Sequence, residues 1–482
     1  MSLKQKAVKG VVWTAAQNWG TQAVSLVIFF VLARLLGPAD FGLVALANVF
    51  LAFMQIFLAE GFAKALIQRQ QITQTHLDTV FWLNFGVSIL LCGATLLGAP
   101  WIAGLFESPE LAPVLRWFSV LFLITSFSTV QQAVLEREFE FRAMAIRSLI
   151  AICLSGLVGV GMALAGLGVW SLVGQQLTYE LVAAIVLWRL SDWRPGLAVG
   201  LKPLRELWNF GAMTFGFNAI TFVHTRADDL LIGYFLDATA LGYYSLAYRI
   251  LTIMTYLLVN TSNQVALPTF SRLQDDLEQF RRAYYRVVQL TSLVAFPTFV
   301  GVALLAEPLI LVIFGDQWLP TVPVLQLLSL AGIIRSITFF KSSVLLALDK
   351  PHWRLAYGAF DMVLNVVAFA IAVRWGIVAV AFAYFMRAYL VFPIGQWLVA
   401  RLIHLPWLTY LRQFVAPVLS TVAMTAAILA LQSLLGDSLP PLALIVVSTI
   451  AGAAVYSLSI VVFAPDLYQE LRRLARLALG SA

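Results

Sequence analysis

"ARLLGPADFGLVALA" occupies Ala33–Ala47, and "GYFLDATALGYYSLA" occupies Gly233–Ala247. Leu36, Gly42, Leu46 and Ala47 reappear as Leu236, Gly242, Leu246 and Ala247. Each stretch is a short polar joint between two long apolar runs, which reads as a helical hairpin. The joint is also written twice, and it is not alone. "PVLRWFSVLFLITS" (Pro113–Ser126) returns as "PVLQLLSLAGIIRS" (Pro323–Ser336), and "GVWSLV" from Gly168 is echoed by "GIVAVA" from Gly376. Hairpins of like composition resemble one another by chance. Three echoes in order, all about 200 to 210 residues apart, point instead to duplication of a six-helix unit.

Working outward, the 482 residues are 61% hydrophobic and 11% charged, with a mean hydropathy of +0.89. Soluble domains carry about 25% charged residues, so the solvent this chain suits is a bilayer. A spanning helix needs about 20 mostly apolar residues, and a membrane β-barrel would show alternating segments of about 10 residues instead. The apolar runs are long and continuous. Fourteen spans are expected, near 11–34, 41–64, 79–100, 113–135, 145–165, 169–189, 209–234, 241–267, 287–306, 322–347, 355–373, 377–400, 412–433 and 441–463. "EPLILVIFG" is too short to cross and reads as a surface or re-entrant stretch. The basic opening "MSLKQKAVKG" leads into a run longer than a signal core, so it reads as the first span and not as a cleaved leader.

The expected fold is therefore an all-α polytopic membrane protein. It comprises an N-lobe over 1–190 (spans 1 to 6), an interfacial cytoplasmic linker over 191–208 and a C-lobe over 209–402 (spans 7 to 12). Spans 13 and 14 follow over 403–464, then an amphipathic tail over 465–482. Six is an even number, so both copies enter the membrane the same way, as parallel repeats do. Lys and Arg set the orientation. Of the 31 basic residues, 23 lie in the N-terminal segment and alternate loops, and only Arg34 and Arg374 in the opposite loops. Both termini are expected to be cytoplasmic. The net charge of +7 then reflects topology and anionic lipid, with no call for nucleic acid.

Charges inside the spans are where function enters, because each costs at least about 2.5 to 3.5 kcal/mol at mid-membrane. They are Arg116, Arg226, Arg249, Arg335, Lys341 and Arg387, with Glu60, Glu180, Asp228, Asp229 and Asp361. Arg116 and Glu60 lie near span ends and can snorkel. Arg249, Arg335 and Arg387, supported by Arg226 and Lys341, are the expected lining of a cationic cavity. Asp228, Asp229, Asp361 and Glu180 are candidates for ion coupling or for pairing with the cations, Lys341 with Asp361 among them. An arginine fork matches phosphate oxygens, so the cavity suits an anionic substrate. The four histidines are scattered, no metal-ligand spacing occurs, and no phosphate-binding glycine loop with its lysine is present. "GLVGVGMALAG" (Gly156–Gly166) reads as a small-residue packing face. Neither catalysis, a cofactor nor ATP use is expected; transport would need a gradient of ions, protons or sodium among the candidates, or of the substrate itself.

Taken together, "MSLKQKAVKGVVWTAAQNW", "LARLLGPADFGLVALA", "ALIQRQQIT", "YFLDATALGYYSLAYRI", "LPTFSRLQDD" and "FGDQWLPTVPVLQLLSLAGIIRS" resemble the polysaccharide-transport branch of the MOP flippase superfamily, in particular the colanic-acid type of Wzx flippase. The likeness runs from about residue 1 to 405. It implies a bacterial inner-membrane protein that flips an undecaprenyl-pyrophosphate-linked oligosaccharide to the periplasmic face by alternating access, among membrane lipids and with polysaccharide polymerase or assembly proteins as possible partners. A drug or cation antiporter of the same superfamily would carry cavity carboxylates with fewer arginines. A membrane-embedded glycosyltransferase or polymerase would carry a large outer loop with catalytic acids, and a scaffold would have no use for buried arginines.

Overall fold

Proline opens helices here, because its fixed φ suits the first turn and its missing N–H has no helical partner there. Pro38, Pro323, Pro351 and Pro441 each stand in a first turn. At the first of these, the Asp40 carboxylate accepts the Gly37 N–H at 3.2 Å. The computed structural model describes residues 3–58, 63, 66–67, 69, 72–436 and 438–465. Among these residues all regular structure is helical. Glu60 lies outside them, as does the amphipathic tail expected over 465–482 after its first residue.

The helices are α1 Leu3–Leu35, α2 Pro38–Gln55, α3 Gln74–Leu105, α4 Leu111–Arg137, α5 Phe141–Leu164, α6 Val169–Leu190 and α7 Leu201–Phe235. Then come α8 Ala238–Thr255, which passes through a π-helical turn at Tyr256–Asn260 into α9 Thr261–Arg272, followed by α10 Leu277–Leu304 and α11 Ala306–Ile313. The remainder are α12 Val322–Thr338, α13 Lys341–Ala347, α14 Pro351–Ala372, α15 Ile377–Ile403, α16 Trp407–Arg412, α17 Val415–Leu435 and α18 Pro441–Phe463. "EPLILVIFG" falls in the short α11, which packs against α18.

Each expected span overlaps a helix, although α2 ends at Gln55, short of the expected 64, and the span expected over 322–347 is broken at Phe339–Phe340. Among the described residues twelve segments are long and apolar enough to cross a membrane, two fewer than the fourteen expected. The missing two are α7 and α8 with its continuation. They form, but α7 carries Asn218, His224, Arg226, Asp228 and Asp229, which dilute its hydropathy. Elsewhere the outward faces are apolar: Leu97, Trp101, Leu157 and Leu434 are all more than 70% exposed, as side chains in contact with lipid are. The chain is a multi-pass membrane protein.

Packing divides the chain into two compact units, Met1–Gly242 and Tyr243–Ala482. In the first, α1 packs on α5, α3 on α4, and α5 on α6, while α7 lies against α2 and α3. Thus α7, expected to open the C-lobe, is counted with the first unit. In the second, α12 packs on α10 and α15, and α17 on α10 and α18. Its core holds Phe270, Phe280, Tyr284, Phe296 and Tyr410.

The repeated joints turn out to meet, inside the first unit. A Cβ on Gly42 would lie 1.5 Å from the Ala238 carbonyl oxygen, and one on Gly242 1.9 Å from that of Pro38. Only glycine permits this backbone approach. The other echoes also share a local role. Pro113 and Pro323 both sit in the opening turns of helices, α4 and α12. Gly168 and Gly376 both precede a helix with positive φ, +54° and +93°, where a side chain would be strained. In the small-residue run of α5, a Cβ on Gly156 would come within 2.2 Å of Ile28, so that run is indeed a packing face.

The linker begins as a non-helical strap, 191–200, and is helical from Leu201. The strap is tied to the start of α3. Asp78 Oδ1 accepts the Gly196 N–H at 3.0 Å and the Gln74 amide at 2.8 Å, and Trp82 Nε1–H donates to the Gly196 carbonyl at 2.7 Å.

Candidate functional site

Three of the five expected binding cations come together in the second unit. Arg335 lies in the last turn of α12, where a cation complements the helix dipole, and Lys341 is the first residue of α13. Between them Phe339 and Phe340 interrupt the helix, with Phe340 fully buried. A helix broken within the membrane is tolerated where its backbone is covered by protein or lines a cavity. Arg387 projects from α15, and Asp361 from α14.

Tyrosines organise the cluster. Arg335 donates from Nη1 to the Tyr384 hydroxyl at 2.9 Å, with Tyr248 of α8 also facing its guanidinium. The Tyr384 ring lies under Arg387, 5.3 Å from centroid to Cζ. Arg387 is salt-bridged through Nη1 to Asp361. Lys341 Nζ stands 3.2 Å from the centroid of the Tyr357 ring, a cation–π contact worth about 0.5 to 2 kcal/mol. Of the three half-buried cations, Arg387 is paired with the Asp361 carboxylate, Lys341 lies within its electrostatic reach, and Arg335 is held by tyrosine hydroxyls. Among the described residues the buried Arg387 Nε has no hydrogen-bond partner. The charge of the cluster and its planar donor forks suit a phosphate or pyrophosphate group.

The other expected residues lie elsewhere. Arg249 is exposed on α8. Arg226 belongs to the first unit, on α7, and pairs locally with Asp229 at 3.1 Å; Asp228 and Asp229 are buried. Glu180, on α6, is half-buried and within electrostatic reach of Arg147 of α5, whose guanidinium also donates to Gln132 at 2.9 Å. Among the described residues no three His, Cys, Asp or Glu side chains are grouped to hold a metal ion.

The residues that charge reading missed are Tyr248, Tyr357 and Tyr384. A signal was present: Tyr357 precedes Asp361 by four residues and Tyr384 precedes Arg387 by three, spacings that share a helix face. Aromatic residues are so common in these spans that the spacing alone does not single them out.

The model of a family described as "Polysaccharide biosynthesis protein" matches residues 31–323. The teichuronic acid biosynthesis protein TuaB of Bacillus subtilis (strain 168) is 28% identical over 99% of this chain and 100% of its own. The lipopolysaccharide biosynthesis protein WzxC of Escherichia coli (strain K12) is 28% identical over 77% of this chain and 76% of its own. The succinoglycan biosynthesis transport protein ExoT of Rhizobium meliloti (strain 1021) is 30% identical over 69% and 67%. In fold, the chain matches the lipid II flippase MurJ in an inward closed conformation, with a TM-score of 0.75 over 95% of this chain and all of that one, at 16% identity. An inward-facing multidrug resistance MATE transporter of the MOP superfamily matches at 0.60 over 79% and 95%, at 15% identity.

Proposed function

Since the chain belongs to the polysaccharide biosynthesis protein family, we propose that it is a flippase for a lipid-linked oligosaccharide, a transporter and not an enzyme. The observation that carries this reading is the tyrosine-ordered cluster of Arg335, Lys341 and Arg387 around Asp361. Cations this far inside membrane-crossing helices are costly, and a pyrophosphate that bridges them offsets the cost. In this reading Arg335 and Arg387 grip the pyrophosphate and Lys341 adds charge. Asp361 holds the Arg387 fork in place without neutralising the cluster. The lipid carrier is undecaprenyl pyrophosphate and the membrane the bacterial inner membrane, with both termini cytoplasmic. Transport runs by alternating access, driven by a proton or sodium gradient. The sign of the cluster is what favours this over drug or cation antiport.

The test is reconstitution into liposomes with a fluorescent polyprenyl-pyrophosphate oligosaccharide, with and without imposed proton and sodium gradients. Wild type is expected to flip the lipid, and Arg335→Ala and Arg387→Ala to slow flipping at least tenfold at matched folded protein. Variants that flip as fast as wild type would remove these arginines from the site. A wild type that moves cationic dyes and not the lipid would sink the flippase reading itself.

A further inference from the structure

The polarity of α7 has a direction. Asn218, Thr221, Phe222, Thr225 and Arg226 follow one another at helical spacing, on one face. With Gln55 at the end of α2 they line a cleft of about 260 Å³ that lies within the first unit. The cleft has its own aromatic support: the Phe222 ring stands 5.5 Å from Phe53 of α2, and Phe215 stands 5.4 Å from Phe57 just beyond it. A polar face of this kind has no use against lipid, and it accounts for the low hydropathy of α7.

The chemistry of the lining is specific. The two side-chain amides each offer a donor and an acceptor, the Thr225 hydroxyl, which donates to the Thr221 carbonyl at 2.8 Å, offers an acceptor, and the Phe222 ring with Ala52 and Ile56 offers an apolar face. Arg226 brings a cation, but its pairing with the buried Asp229 at 3.1 Å cancels the charge. A neutral lining of paired donors and acceptors is poor for phosphate, for a drug cation or for a lipid tail. It fits a sugar, whose hydroxyls donate and accept together and whose C–H faces pack on aromatic rings. The volume sits just under the usual range for ligand sites, which starts at about 300 Å³, so the cleft takes one or two sugar rings and not a whole repeat unit.

We infer that this cleft binds a sugar of the head group being transported. The inference rests on the flippase reading and deepens it: sugar recognition belongs to Gln55, Asn218, Thr225 and Phe222 of the first unit.

The test is binding to the purified full chain in lipid nanodiscs, read by calorimetry. The ligands are bare farnesyl pyrophosphate and farnesyl pyrophosphates carrying glucose, galactose or N-acetylglucosamine. At least one glycosylated ligand is expected to bind more tightly than the bare one. Gln55→Ala and Asn218→Ala should each weaken that ligand about tenfold while leaving bare farnesyl pyrophosphate unchanged, which also shows that the variants fold. The near-isosteric Thr225→Val should give a smaller loss with the same selectivity. The inference is overturned if no sugar improves binding, if the improvement survives all three substitutions, or if they weaken both kinds of ligand equally. Failure of the flippase reading is recognised separately. Wild type would then bind no farnesyl pyrophosphate, which sinks both, or Arg335→Ala would leave its binding intact, which sinks only the assignment of pyrophosphate to the cluster.

Discussion

Tyr384 holds two cations with two parts of one side chain. Its hydroxyl accepts from Arg335, and its ring carries Arg387. The second tie on Arg387, the Asp361 carboxylate, is nearly as enclosed: the two side chains are only 12% and 18% exposed. Removing one partner of a buried pair costs about 3 to 5 kcal/mol, because the other charge is left stranded. Asp361→Ala is therefore expected to lower the thermal unfolding midpoint in detergent markedly. The double variant Asp361→Leu with Arg387→Met should recover most of that loss and still fail to flip lipid. If the double variant unfolds as early as the single one, the pair is not what Asp361 supports. The positions of Arg335, Lys341, Asp361 and Arg387 are legible in the sequence, since a charge interrupting an apolar run cannot be ignored. Their tyrosine partners are not, since a phenol packs equally well in a core, at an interface or under a cation.

The joint between α1 and α2 and the joint between α7 and α8 are related elements whose backbones touch at Gly42 and Gly242. A methyl group there has no flexible side chain to displace, only a carbonyl. Overpacking typically costs about 1 to 3 kcal/mol even where side chains can give way, so Gly42→Ala should cost at least that. The control is Gly86→Ala on α3, where a Cβ meets nothing within 4 Å and the higher helix propensity of alanine is neutral to stabilising. Thermal unfolding of both variants should separate them clearly; equal midpoints would mean the joints are free to part. The repetition of these glycines was visible in the sequence. That the two copies press on each other was not, because a spacing of 200 residues says nothing about proximity. The break between α12 and α13 was equally hidden: "SITFFKSS" (Ser336–Ser343) contains neither Pro nor Gly, and span 10 reads as one uninterrupted helix.

For the molecule as a whole, the asymmetry of Lys and Arg makes a topological prediction. With Cys92 and Cys153 replaced by alanine, Asp316→Cys should react with a membrane-impermeant maleimide in intact cells, and Asp275→Cys only after lysis. The reverse pattern would invert the orientation; labelling of both from outside would break the alternation of spans. The same scale explains where the division of the chain departs from the expected lobes. Hydropathy and repeats place a boundary in the basic linker, over 191–208. Packing places it at Gly242, because α7 lies on α2 and α3 and the strap that leads to it is tied to Asp78, Gln74 and Trp82.

What the sequence determined by itself follows from solvent. A chain this apolar folds as helices in lipid, and the ends of those helices are written in local signals, Pro in the first turn, polar joints and clusters of Lys and Arg, so the membrane-crossing helices were legible. What only the tertiary structure decided is which side chains share a site. Arg335, Lys341, Asp361, Tyr384 and Arg387 lie on four helices, and the polar face of α7 becomes a cleft only when Gln55 of α2 is set beside it. Helix formation is a matter of neighbours along the chain; a site is a matter of neighbours across it, and those are chosen by packing that no single segment encodes.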